Sequence, residues 1–213
     1  QPKDIRKKFS VVIEKTVLEL QGLSCLSIEE EVPSKQQIIS SRSYGQPVYE
    51  LEDIKASIRV YIARAVARLR ADHSLCRMVG VFIQTSRFNS TEKYAPYLAI
   101  TLNEHTDDLI SITQAATRAA EKIFKAGFKY KKAGVVLLEI IPQQNFTPDF
   151  FCDMTRRQSR LKLSETIDGI QKKFGHHFVS IGLAQDDAAT WRMKKNLCSP
   201  AYLSNWNELL RVK

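Results

Sequence analysis

Between Lys35 and Pro142 the apolar pattern moves between the two-residue period of a strand and the 3.6-residue period of a helix. The order is strand, helix, strand, strand, helix, strand. That order is the split βαβ arrangement of α+β proteins, a four-stranded sheet with two helices on one face. The other face of the sheet is then open. The first strand carries Ser40-Ser41-Arg42-Ser43-Tyr44-Gly45, so hydroxyls and an arginine stand at its end.

The spacing predicts strands over Gln36–Tyr44, Arg77–Thr85, Pro96–Glu104 and Ala133–Ile141. Helix one spans Leu51 to Ala71, with Ile54, Ile58, Tyr61, Ile62, Ala65 and Leu69 on its apolar side. Its opposite side holds Arg59, Arg64, Arg68 and Arg70, read as a solvated face. Helix two opens at Thr106-Asp107-Asp108, where short acceptors and negative charge suit a helix start. It buries Leu109, Ile112, Ala116, Ala119 and Ile123, and Gly127 is expected to close it. Val79, Val81 and Ile83 alternate with Gly80, Phe82 and Gln84. Val135-Val136-Leu137-Leu138 is apolar throughout, which suits a central strand.

Outside this core, Asp4 to Leu20 reads as one amphipathic helix with Ile5, Phe9, Val12, Ile13, Val17 and Leu20 facing one way, ended by Gly22. The division is therefore a terminal helix over 1–22, a linker over 23–34, the βαββαβ domain over 35–142, a second linker over 143–158 and a small α/β region over 159–213. That last region is expected to hold a helix near Ser164–Phe174, a short strand His177–Gly182 and the basic segment Trp191-Arg192-Met193-Lys194-Lys195. Trp191, Met193, Tyr202 and Trp206 fit a small core. The chain starts at Gln1 without a methionine, consistent with a piece of a longer protein or a processed product.

The net charge of +9 favours a polyanionic partner. No apolar run approaches the length of a membrane span and no signal-peptide pattern opens the chain, so no membrane partner is expected, and the cysteines point to a cytoplasmic protein. Cys25, Cys76, Cys152 and Cys198 lie far apart with no CxxC pair, which argues against zinc and fits reduced thiols. His176 and His177 are adjacent on a predicted strand and point to opposite faces, so one metal would not see both. Glu29-Glu30-Glu31 and Asp186-Asp187 lack the apolar strand context that fixes metal geometry. No catalytic residue, metal site or cofactor is expected in this chain.

The grip on a phosphate backbone needs charge, hydroxyls and main-chain N–H groups rather than base-reading side chains. Lys35, Ser41, Arg42 and Ser43 supply these on strand one. Arg77, Thr85, Ser86 and Arg87 supply them at the ends of strand two. Strand alternation lets only about half of them face one duplex.

Several motifs carry a resemblance: Pro2-Lys3-Asp4-Ile5-Arg6-Lys7-Lys8-Phe9; Ile38 through Gly45; Tyr130-x-Lys132-Ala133-Gly134-Val135; Trp191-x-Met193-Lys194 with Ser199-Pro200-x-Tyr202; and the closing Leu209-Leu210-Arg211-Val212-Lys213. Together they resemble the Y-family translesion DNA polymerases, and within them the UmuC class, over essentially the whole chain. The resemblance implies that the catalytic half, with its magnesium ions, lies upstream, that residues to about Leu20 end the thumb, and that Lys35 to Pro142 is the little finger that holds duplex DNA. It also implies the SOS response of a bacterium, and partners in the UmuD′ dimer and the RecA filament. A short clamp-docking peptide follows the little finger in that family, with apolar side chains entering a pocket. By position Thr147 stands where the family has Gln and Pro148 where it has Leu, while Asp149, Phe150 and Phe151 fit.

Two other classes remain. An RNA-recognition module uses the same element order but stacks bases on central-strand aromatics, of which strand two offers Phe82 and strand four none. A regulatory or oligomerisation domain would pair the open face, with Tyr97, Ala99, Phe82 and Val136, to another protein.

Overall fold

The computed structural model describes residues 2–26, 34–86, 93–148, 154–175, 179, 191–192, 198–202 and 204–209. The chain forms two compact units, 1–34 and 35–213.

In the first unit the single expected helix is two, α1 (Pro2–Lys8) and α2 (Val11–Leu20). Ser10 causes the break. Its backbone is extended and its hydroxyl accepts from the Ile13 N–H, so it caps a new helix instead of continuing the old one. Gly22 ends α2 as expected. At φ +84° it donates to the Glu19 carbonyl while Leu23 donates to that of Leu18, the paired bonds of a Schellman stop. Phe9 is 69% exposed and no residue of α2 is buried.

The second unit is built on the βαββαβ order: β1 (Ile38–Val48), α3 (Leu51–Ala71), β2 (Ser74–Thr85), β3 (Tyr97–Thr106), α4 (Leu109–Ile123) and β4 (Tyr130–Pro142). The sheet order is β1-β4-β2-β3 and every neighbouring pair is antiparallel. Each strand–helix–strand unit therefore straddles one strand of the other, and right-handed crossovers put both helices on the same face. β4 is central, as its unbroken apolar run predicts.

Helix α3 has the expected bounds, and Ile54, Ile58, Ile62, Ala65, Val66 and Leu69 are fully buried. They meet Val79, Val81 and Ile83 of β2 and Ala133, Val135 and Leu137 of β4. Alanines at 115, 116, 119 and 120 let α4 lie close to the sheet. The strands run longer than their apolar cores suggest. β1 starts at Ile38, not Gln36, and continues through Gly45 and Pro47 to Val48. As an edge strand it tolerates a proline, and a register shift between Ser43 and Val48 absorbs the irregularity. Helix α4 ends at Ile123 with Phe124 extended, so Gly127 (φ +88°) serves the following turn and does not close the helix.

Two of the four arginines read as solvated are not. Arg64 and Arg68 are exposed, but Arg70 is largely buried and pairs with Asp168 at 2.5 Å, while Arg59 is half-buried beside α4. Asp168 lies on α5 (Met154–Phe174), which begins ten residues before the expected Ser164 and crosses the expected 158/159 boundary. Arg157 of α5 reaches Glu104 and the His105 carbonyl and stacks on Phe146, and Arg160 pairs with Asp108. Trp191 is buried edge-on to Tyr61, but Tyr202 and Trp206 are exposed, so the expected small core does not form from them. The predicted strand His177–Gly182, apart from Val179, and Met193–Lys195 lie outside the described residues, as do Glu29–Glu31 and Asp186–Asp187.

Under β1 the buried Tyr44 hydroxyl lies 2.7 Å from Ser57 Oγ, which itself donates to the Ile54 carbonyl at 2.8 Å. Tyr44 is therefore the donor to Ser57, and burial pushes its ionisation upward. Ser57→Ala strands that hydroxyl and should cost about 1–3 kcal/mol in urea denaturation, whereas Tyr44→Phe, which leaves Ser57 bonded to Ile54, should cost about 0.5–1.5 kcal/mol. Equal costs would contradict this assignment of donor and acceptor.

Candidate nucleic-acid interface

Register fixes which side chains share the face away from the helices. Ile39, Val136, Gly80 and Ala99 form one row across the four strands. Ser41, Gly134, Phe82 and Tyr97 form the next, and Ser43, Lys132 and Gln84 a third. Two glycines in these rows shape the surface. A Cβ at Gly134 would overlap the Phe82 ring and Ser41 Cβ, and one at Gly80 would overlap the Tyr97 ring. Both aromatics therefore lie across glycine backbone on the sheet instead of standing away from it. Lys132 places its ammonium 5.7 Å from the Phe82 ring centre. Ile39 and Tyr97 remain 46% and 53% exposed, so the face is open at both edges.

The predicted backbone-gripping residues do not form one cluster. Ser41 and Ser43 share the open face near Lys132. Thr85 ends β2 beside them, its hydroxyl accepting from the Tyr94 N–H at 3.0 Å and donating to the Tyr94 carbonyl at 3.3 Å, and Ser86 follows it. Arg42 alternates to the other side. It has the phase of buried Ser40 and Tyr44, lies within electrostatic reach of Tyr61, and is exposed at the sheet edge. Lys35 and Arg77 belong to the opposite end. Lys35 Nζ is 2.6 Å from Asp72, whose carboxyl it holds below the usual range, and Arg77 is exposed near His105. Burial first, and Arg77 second, lower the His105 pKa, while Glu139 opposes them. Arg87 lies outside the described residues, as do Asp149, Phe150 and Phe151. Thr147 is exposed just after the short turn Gln143–Asn145.

The residues the sequence reading passed over are lysines. Lys129, Lys131 and Lys132 lead into and open β4 beside the end of β2. Lys93 precedes Tyr94, which bonds to Thr85 there, and Lys125 lies over the Tyr94 ring at 4.8 Å. Among the described residues none of the five pairs with a carboxylate. The signal was the run Lys129-Tyr130-Lys131-Lys132, legible only once β4 is known to start there. At the other end the arginines Arg70, Arg157 and Arg160 are all matched to acids. Thus the sheet presents an unneutralised lysine end next to hydroxyls and flat aromatics, which suits phosphate contact without base readout.

A family profile described as the impB/mucB/samB family C-terminal domain matches residues 35–150, and one described as a domain of unknown function matches residues 161–212. The chain belongs to the impB/mucB/samB family. Protein UmuC of Salmonella typhimurium is 38% identical over 98% of this chain and 50% of its own length. Protein SamB of the same organism is 38% identical over 100% of this chain and 50% of its own. The chain thus spans about half the length of these relatives, which are of the class its motifs resemble. Among solved structures, an insertion ternary complex of Dbh DNA polymerase aligns with 66% of this chain and 39% of that one, at 12% identity and a TM-score of 0.43.

Among the described residues no group of three or more His, Cys, Asp or Glu is placed to hold a metal ion. No helix among them is long and apolar enough to cross a membrane. The open face itself can be tested through its glycines. Gly134→Ala must displace Phe82 or spread β1 from β4, and should cost about 1–3 kcal/mol of stability by urea denaturation. A neutral substitution would mean that Phe82 does not rest on this glycine.

Proposed function

We propose that this chain is the non-catalytic carboxy-terminal part of an error-prone translesion DNA polymerase of the bacterial SOS response, acting in the cytoplasm. It grips primer–template DNA by the backbone and docks partner proteins. The observation that carries the reading is a coincidence of place. The family match over residues 35–150 falls on the sheet whose exposed end bears the unpaired lysines. The resemblance of the flanking motifs to UmuC-class enzymes supports a polymerase as the parent, with its magnesium bound upstream of this chain.

The grip would work through Lys129 and Lys132 with Ser41, Ser43 and Ser86, releasing counterions from phosphate without selecting sequence, while Thr85, its hydroxyl proton held by the Tyr94 carbonyl, would fix that end of the sheet. Arg42 would contribute at the sheet edge, and Lys35 and Arg77 only to DNA that reaches the opposite end. In a fluorescent primer–template titration across a salt series, Lys129→Ala with Lys132→Ala should weaken binding equally on all sequences. It should also flatten the log–log salt slope by about one unit per lysine. An unchanged slope would remove these lysines from the interface.

The segment Thr147, Asp149, Phe150 and Phe151 would dock the sliding clamp, and the region after it the UmuD′ dimer and the RecA filament. Replacing both Phe150 and Phe151 by Ala should abolish clamp pull-down and leave duplex affinity intact. Retained clamp binding would place the docking peptide elsewhere.

A further inference from the structure

On the helical face, opposite the open side of the sheet, α3 and α4 enclose a groove of about 550 Å³. One stripe of α4 lines it, Ile110, Thr113, Gln114, Thr117, Arg118 and Glu121, and Arg59 of α3 closes the other wall. The nearest carboxylate is already committed. Lys55, one turn before Arg59, holds Glu121 at 2.8 Å and Glu52 at 2.9 Å, and these two bonds raise its pKa. Among the described residues no acid pairs with Arg59, and its Nη1, like Nε and Nη1 of the Asp168-bound Arg70, is buried without a hydrogen-bond partner. A charged donor removed from water and left unmatched is costly, and Arg59, unlike Arg70 with its Asp168, lines a groove from which an anion can approach its guanidinium.

We propose that this groove is a docking site for an acidic protein segment, one Asp or Glu side chain entering between α3 and α4 to pair with the Arg59 guanidinium. A planar guanidinium matches a carboxylate with two parallel bonds. Arg118 at the rim adds a second cation, and the Thr113 and Thr117 hydroxyls and the Gln114 amide offer donors to the backbone of a bound peptide. The occupant is protein and not duplex DNA because the groove offers two cations, Arg59 and Arg118, beyond the Lys55–Glu121 pair, with hydroxyls and an amide beside them, which matches one or two carboxylates of a peptide. A phosphate backbone is better met by the lysines at the sheet end, of which Lys93, Lys125 and Lys129 are exposed. The inference is independent of the DNA reading, since it uses a different face and different residues.

The test is an NMR titration of the ¹⁵N-labelled chain with the blocked peptide Ac-Glu-Glu-Glu-Glu-NH2, with the Gln tetrapeptide and a primer–template duplex as controls. The glutamate peptide should shift the Arg59 Nε–H signal and the Thr113 and Thr117 amides saturably, and the Gln peptide should not. Arg59→Gln should weaken this binding about tenfold or more, as expected for loss of a charge-assisted pair. Arg118→Gln, at an exposed position, should weaken it less and serves as the second variant should Arg59→Gln unfold. Absence of a saturable shift at millimolar peptide, equal affinity in a folded Arg59→Gln chain, or preferential filling of the groove by duplex would each overturn the proposal.

Discussion

The pairing of β4 with β2 organises everything else in the larger unit. It runs from Ser74 against Pro142 to Thr85 against Tyr130, with one shift between Gln84 and Thr85. Both strands are central, so their helix-side residues are sealed under α3 and α4, and a slip by one residue would turn Val135, Leu137, Val79 and Val81 out to solvent. The same register sets the open face. It places Phe82 over Gly134 and brings Lys132 opposite both Ser43 and Gln84, so the core and the candidate interface are two readings of one alignment.

Charge is distributed along this frame unevenly. Where α5 crosses the ends of α3, β3 and α4, arginines meet carboxylates one for one. Asp108 does double duty there, capping α4 through the Ile110 and Ser111 N–H groups while accepting Arg160. At the far end, the turn after α4 and the start of β4 carry lysines with no acid among the described residues. The five lysines at that end are thus a local excess of positive charge beside the open face.

Elements whose signal is periodic were legible in the sequence. Helix α3 was bounded to the residue because its apolar stripe is long and Glu50 and Asp72 flank it outside the apolar pattern. The central place of β4 followed from an apolar run that only two buried faces explain. Features decided by one local bond were not legible. Ser10 divides a helical pattern because its hydroxyl captures the Ile13 N–H. The end of α4 moves to Ile123 because Phe124 turns extended and packs near Tyr130. Tertiary pairing hid the rest. Arg70 reads as a surface residue until Asp168, ninety-eight positions on, arrives beside it. The phase of strand one, which separates Ser41 and Ser43 from Arg42, needed the buried side of Tyr44 to be known.

The central claim is that the open face and its lysine end hold DNA while the helical face does not. Amide hydrogen exchange of the chain with and without primer–template duplex tests it most directly. The account predicts added protection over Ser41–Ser43, Gln84–Ser86 and Lys129–Lys132, with α3 and α4 unchanged. Protection confined to α3 and α4, or none at low salt under saturating duplex, would contradict it.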